Sequence, residues 1–167
     1  MQHFKELNPY QLTDNPFKLI GKDWMLVSAR HNGVANTMTA SWGGVGVLWH
    51  QPVATIYIRP HRHTFSLLEA APTFSLCFFD ESQREKLAYC GRVSGRDENK
   101  IAHCGFDTTI VEGAPVFAQA RLVFVCKKLY THDIDPARFL DPAIDKNYPR
   151  KDYHRMYVGE IQKALAR

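Results

Sequence analysis

The chain has 167 residues, a length that favours one domain spanning residues 1–167 over two. Its 45% apolar content excludes disordered, collagen-like and coiled-coil classes. Lys and Arg number 21 against 17 Asp and Glu, a net charge of +4 spread along the chain, which argues against a nucleic-acid surface and suits a small anionic ligand.

The first residues carry no apolar core and no apolar run approaches the ~20 residues of a membrane span, so no signal peptide and no membrane are expected, and a cytoplasmic protein is. The four cysteines form no Cys-x-x-Cys pair, which removes zinc-ribbon and thioredoxin-like readings and predicts reduced, mostly buried thiols.

In chain order, residues 24–30 read as a strand closed by the turn pair Asn32-Gly33. Residues 36–42 read as a polar strand broken by Gly43-Gly44. Residues 45–49 follow as a strand or bulged segment ended by Pro52, and 53–58 look buried on both faces until Pro60. Thr64 is placed to cap a short helix over 64–69, stopped by Pro72. Residues 74–79 form the next strand. Ser82-Gln83-Arg84-Glu85 is a capping-box sequence that predicts a helix over 83–90, with Gly91 as its stop. A second short helix is expected over 97–104, a long strand over 118–130, and an excursion with one helical turn over 135–153. Residues 156–161 form the last strand. Six or seven strands without regular intervening helices point to a mainly β fold, a closed or partly closed antiparallel barrel with a few short peripheral helices.

Four segments could carry chemistry. Residues 36–44 place Asn36, Thr37, Thr39 and Ser41 in a short run before Trp42 and two glycines, so polar groups and open backbone can meet a ligand; an edge strand with solvated threonines is the alternative. Arg59-Pro60-His61-Arg62-His63-Thr64 offers guanidinium forks and a helix start for phosphate oxygens, or only surface charge. His61 and His63 stand two apart with no third ligand nearby, a weak metal pattern. Ser94-Gly95-Arg96-Asp97 with Lys100 forms a second anion wall or an ordinary charged loop, and lacks the P-loop spacing. His154 enters the last strand either as a structural residue or as a polar partner beside a redox ring. No acid–base pair, nucleophile triad or Rossmann glycine motif is visible.

Taken together, and in this order from about residue 24 to 161, these segments resemble the flavin reductase-like family of FMN-binding split barrels, its flavoredoxin-like branch in particular. The resemblance implies an antiparallel Greek-key split β-barrel and a homodimer with one FMN per subunit near the interface. It implies that Asn36, Thr39, Ala40, Ser41 and Trp42 contact the flavin ring and ribityl chain. Arg59, Arg62 and Thr64 would lie near the phosphate or ribityl hydroxyls, Ser94 and Lys100 would hold the phosphate, and His154 would approach the ring. No side chain need act as a catalytic acid or base, because the cofactor carries the redox chemistry. The implied activity is oxidoreduction in which NAD(P)H is a transient donor and free flavin, another small molecule or a protein is the acceptor. Alternatives are an electron-transfer flavoprotein with little NAD(P)H activity and a non-catalytic barrel for haem or another ligand.

Overall fold

The computed structural model describes residues 4–167. Among them are ten strands and four α-helices. The order is β1 (Lys5–Leu7), α1 (Pro16–Gly21), β2 (Met25–His31), β3 (Val34–Ala40), β4 (Gly43–Leu48), β5 (Gln51–Ile58), α2 (His63–Ala70), β6 (Thr73–Phe78), α3 (Arg84–Arg92) and α4 (Lys100–His103). Strands β7 (Thr108–Val111), β8 (Ala114–Phe117), β9 (Leu122–Asp133) and β10 (Arg155–Ala166) complete it. Among the described residues no helix is long and apolar enough to cross a membrane.

The main sheet runs β3-β2-β6-β9-β10-β5-β4, with β1 on the far end of β10. Every pairing is antiparallel. The long β10 holds it together: β9 follows it along one side, while the other side is shared between β5 at its start and β1 at its end. Strands β7 and β8 form a separate hairpin.

The pleat divides the apolar residues between two cores. Met25 and Val27, Phe74 and Phe78, and Phe124 enter one core with Leu19 and Ile20 of α1 and Leu67 and Leu68 of α2. Leu26, Cys77, Val123 and Val125 face the other, under α3 and the β7–β8 hairpin. Cys77 and Cys126 therefore stand on opposite faces of the sheet.

Several turns follow local chemistry. Asn15 caps α1 by accepting from the Phe17 and Lys18 amides, with Pro16 at the first helical position. Asn32 and Gly33 both take positive φ (47° and 81°), as a two-residue hairpin requires. Glu112-Gly113 does the same (47° and 83°), a hairpin the sequence reading did not expect, as were β1 and α1.

Other expectations are corrected. Gly43-Gly44 opens β4 instead of breaking a strand. A Cβ on Gly43 would lie 2.7 Å from the Thr55 carbonyl oxygen, so the small residue permits close pairing. Pro52 does not end a strand but lies within β5, just beyond the point where β10 stops pairing at Val53, so its missing N–H faces no partner there. The capping box does not form, because a 3-10 turn over Glu81–Gln83 leads into α3. Gly91 does not stop the helix: it stands in the last turn of α3, where its bare Cα rests on Thr39. The helix expected over 97–104 is only α4, capped by Asn99. The 118–130 strand is displaced to β9, and the last strand is longer than expected. The 135–153 excursion contains two 3-10 turns, Pro136–Arg138 and Pro142–Asn147.

Gly159 sits where β10 shifts register against β9 while staying in register with β5. A Cβ there would lie 2.6 Å from Phe74 Cζ and 2.9 Å from Cys126 Cβ. Gly159→Ala is expected to cost about 1–3 kcal/mol of stability by overpacking. Urea unfolding should show a lower midpoint with an unchanged slope; an unchanged midpoint would contradict this packing.

Candidate functional site

The C-terminal turn of α3 is the organising feature. The last carbonyls of a helix have no partner within it. Here the Cys90 carbonyl accepts from Lys100 Nζ (2.9 Å) and the Gly91 carbonyl from Arg62 Nη1 (2.9 Å). Cations at a helix C-terminus are favoured by its dipole. Lys100 is 2% exposed, yet among the described residues neither it nor Arg62 has a carboxylate within ion-pairing distance. Burial holds the Lys100 ammonium down to about 8, and the charge of Arg62 pushes the same way. Burial also lowers Arg62, and His63 is lowered by burial, then by Arg96 and Lys100. The spot is a buried excess of positive charge.

These cations line a cavity of about 220 Å³ together with Asn36, Thr64, Ser94 and Gly95. Asn36 Nδ2 donates to Thr64 Oγ1 (2.9 Å), which fixes β3 against the start of α2. Thr64 is thus not the helix cap expected of it: Arg62 occupies that position, and the Thr64 hydroxyl is held by a residue 28 positions away. A Cβ on Gly95 would fall 2.2 Å from Asn36 Oδ1, so only glycine lets the loop after α3 lie across this amide. Arg96 Nη1 donates to the His61 carbonyl (2.9 Å) and ties that loop to the turn that precedes α2.

A second cavity of about 530 Å³ adjoins the first, sharing Met38, His61 and Arg62. Thr39, Ala40, Ser41 and Trp42 form one wall, and Arg59 and His154 lie opposite with Asn147, Pro149, Arg150 and Asp152. Thr39 Oγ1 donates to the Leu87 carbonyl, anchoring β3 to α3. Trp42 is 46% exposed, its ring 5.0 Å from that of His154 and tilted by 47°. His154 is buried, and its Nδ1 lies 2.9 Å from the Tyr148 hydroxyl.

The residues expected to hold a ligand border these two adjoining cavities, while Thr37 accepts from Ser28 and donates to the Val27 carbonyl, and Arg96 and Asp97 line neither; Arg59 borders the larger one. Its guanidinium is committed to Asp152 (2.7 Å) and to the Asn147 carbonyl (2.9 Å), on the wall away from Lys100. His61 Nδ1 lies 3.1 Å from the same Asp152 carboxylate. The sequence reading missed Tyr148, Arg150 and Asp152; its only signal was the proline-rich excursion itself.

The flavin reductase-like domain matches residues 18–166. The chain belongs to the flavin reductase-like family. A curated relative from Aeropyrum pernix, an uncharacterised protein, is 30% identical over 104 residues, 58% of this chain and 37% of that one, so the chain spans little more than a third of that relative. Among solved structures, an FMN-binding domain of a flavin reductase-like enzyme from Shewanella baltica has a TM-score of 0.71 at 21% identity, covering 98% of this chain and 76% of that one. A flavoredoxin from Methanosarcina acetivorans has a TM-score of 0.69 at 22% identity, covering 87% and 68%. At these identities the likeness shows the fold: the mainly β split barrel with few short helices that the sequence led one to expect.

The low-lying Lys100 has a measurable consequence. Below about pH 8 the native ammonium is charged and carries its full burial penalty. Above it the native state sheds the proton while the unfolded chain, titrating near the ordinary 10.5, keeps it. At this group the unfolded state then binds more protons, so Lys100 adds stability as pH rises from about 8, against the opposite contribution of the buried Cys77, Cys90 and Cys126 thiols, which burial raises from 9.0. The urea midpoint of wild type relative to Lys100→Met should move in favour of wild type as pH rises from about 7 to about 9; a difference that does not change with pH would contradict it.

Proposed function

We propose that this chain is an FMN-binding flavoprotein oxidoreductase that takes reducing equivalents from NAD(P)H and passes them to free flavin, another small molecule or a protein acceptor. The observation that carries the reading is the buried Lys100 ammonium, joined by Arg62 and answered by no carboxylate among the described residues. A buried cation in that state is costly unless an anion completes it. A terminal phosphate fits the chemistry of this donor set, because it accepts several charge-assisted hydrogen bonds at once.

Lys100, Arg62 and Ser94 would hold the phosphate. Asn36 and Thr64 would meet the ribityl hydroxyls, and Thr39 to Trp42 with His154 would border the ring in the larger cavity. When bound, the flavin ring supplies the redox chemistry; the protein binds it, orients it and sets its hydrogen-bonding surroundings. A homodimer belongs to the same proposal. Val47, Leu48 and Trp49 stand exposed at the β4–β5 hairpin, with Tyr130 of β9 6.4 Å from Trp49, an apolar patch of the kind a second copy of this chain would cover.

Steady-state oxidation of NADH and NADPH by the FMN-supplemented protein tests the activity. Turnover with at least one donor is expected. No turnover with either, by protein that binds FMN, would overturn the reductase reading and leave an electron carrier reduced by another protein. Lys100→Ala tests the phosphate assignment. FMN should bind about tenfold to a hundredfold more weakly while riboflavin changes little; equal weakening of both would remove Lys100 from the phosphate site.

A further inference from the structure

The segment between β9 and β10, residues 134–154, folds back over the larger cavity and brings one aromatic side chain to the buried histidine. Tyr148 is 3% exposed. Its ring lies 4.9 Å from that of Tyr153 and 6.2 Å from that of Phe139, with the Arg59 guanidinium 5.0 Å from its centre. Tyr153 donates to Asp145 Oδ1 (2.8 Å), which closes the segment on itself. The hydroxyl of Tyr148 is therefore held in place, 2.9 Å from His154 Nδ1.

Which atom carries the proton in this contact follows from what surrounds it. Among the described residues, the Tyr148 hydroxyl has no hydrogen-bond partner other than His154 Nδ1. If Nδ1–H donated to the phenol oxygen, the phenol proton would be buried with no acceptor, which costs on the order of 1–3 kcal/mol. If the phenol donates to Nδ1, both atoms are satisfied and the ring proton sits on Nε2. Nε2 makes no hydrogen bond within the described residues, and His154 borders the larger cavity.

We propose that Tyr148 is a positioning residue that fixes His154 as its Nε2–H tautomer and so directs a neutral hydrogen-bond donor into the larger cavity, toward a carbonyl oxygen or unprotonated ring nitrogen of a planar occupant. The identity of that occupant rests on the flavin reading, since a flavin ring carries such acceptors; the tautomer does not. Burial first, then the charges of Arg59 and His61, with Asp152 opposing, hold His154 down to about 4, so the imidazole is uncharged at neutral pH. The two ends of the joined cavities thus differ in kind: a cationic end at Lys100 and Arg62, and a neutral donor at His154. Arg59 supports this indirectly. Committed to Asp152 and the Asn147 carbonyl, it clamps the 134–154 segment onto the barrel and lies over the Tyr148 ring.

The test is nitrogen-detected NMR of the histidine rings in the unliganded full-length protein. His154 should show a protonated Nε2 and an unprotonated Nδ1, unchanged between pH 6 and 8. In Tyr148→Phe, Nδ1 loses its donor and the ring should populate both tautomers. A wild-type His154 protonated on Nδ1, or a folded Tyr148→Phe with the wild-type tautomer, would overturn the proposal. If the variant does not fold, the wild-type spectrum still decides. The second arm measures FMN and riboflavin affinity. Tyr148→Phe should weaken both by the same factor, roughly three- to tenfold, because the donor meets the ring and not the phosphate. Unchanged affinity for both would overturn the assignment of an occupant to this donor. A wild-type protein that takes neither flavin would overturn the flavin reading, while the NMR result would still decide the tautomer.

Discussion

A lysine ammonium buried without a carboxylate partner among the described residues is the constraint on which the rest of the site depends. Lys100 is held by one main-chain carbonyl, that of Cys90, and Arg62 by its neighbour, that of Gly91. Both carbonyls lie in the last turn of α3 and would otherwise lack partners. The cations therefore do two things: they finish a helix and present positive charge to a cavity. That arrangement requires α3 to lie close on β3, which Gly91 permits by resting on Thr39. It also requires the loop after α3 to cross Asn36, which Gly95 permits. Two glycines thus let α3 and the loop after it lie against the polar strand β3.

The cavities on either side of Arg62 divide the ligand's chemistry. One end favours an anion, while the other presents an uncharged imidazole, an indole and strand residues of small volume. An elongated ligand with one charged terminus and a planar polar ring matches that gradient. The ion pair on the wall of the larger cavity, Arg59 with Asp152, is drawn from residues far apart in sequence. Asp152 pairs with Arg59 and lies 3.1 Å from His61 Nδ1, so that guanidinium is engaged within the protein, while Arg150 also borders the larger cavity.

The parts legible in sequence were those set by local chemistry. The polar run from Asn36 to Ser41 stood out because a strand seldom carries so many hydroxyl and amide groups unless something satisfies them. The Asn32-Gly33 turn and the breaks around Pro60 and Pro72 were equally local. What escaped depended on partners distant in sequence. The pairing of Arg59 was hidden because nothing near it in sequence reveals Asp152, 93 residues away. Thr64 looked like a helix cap because Asn36, 28 residues earlier, was not available to compete for its hydroxyl. Gly43 looked like a break because the approach of the Thr55 carbonyl is a property of pairing, not of the tripeptide. Tyr148 left no signal beyond the proline-rich excursion that contains it, being one of several aromatics in an irregular segment.

The central claim is that the buried pair of cations receives the phosphate of a flavin. Titrating the purified, ligand-free protein with FMN and with riboflavin, followed by the visible absorption of the flavin, tests it most directly. The account predicts perturbed flavin bands with both ligands and markedly tighter binding of FMN. Equal affinity for the two would contradict the phosphate site, and unperturbed spectra with both would contradict the flavin reading altogether.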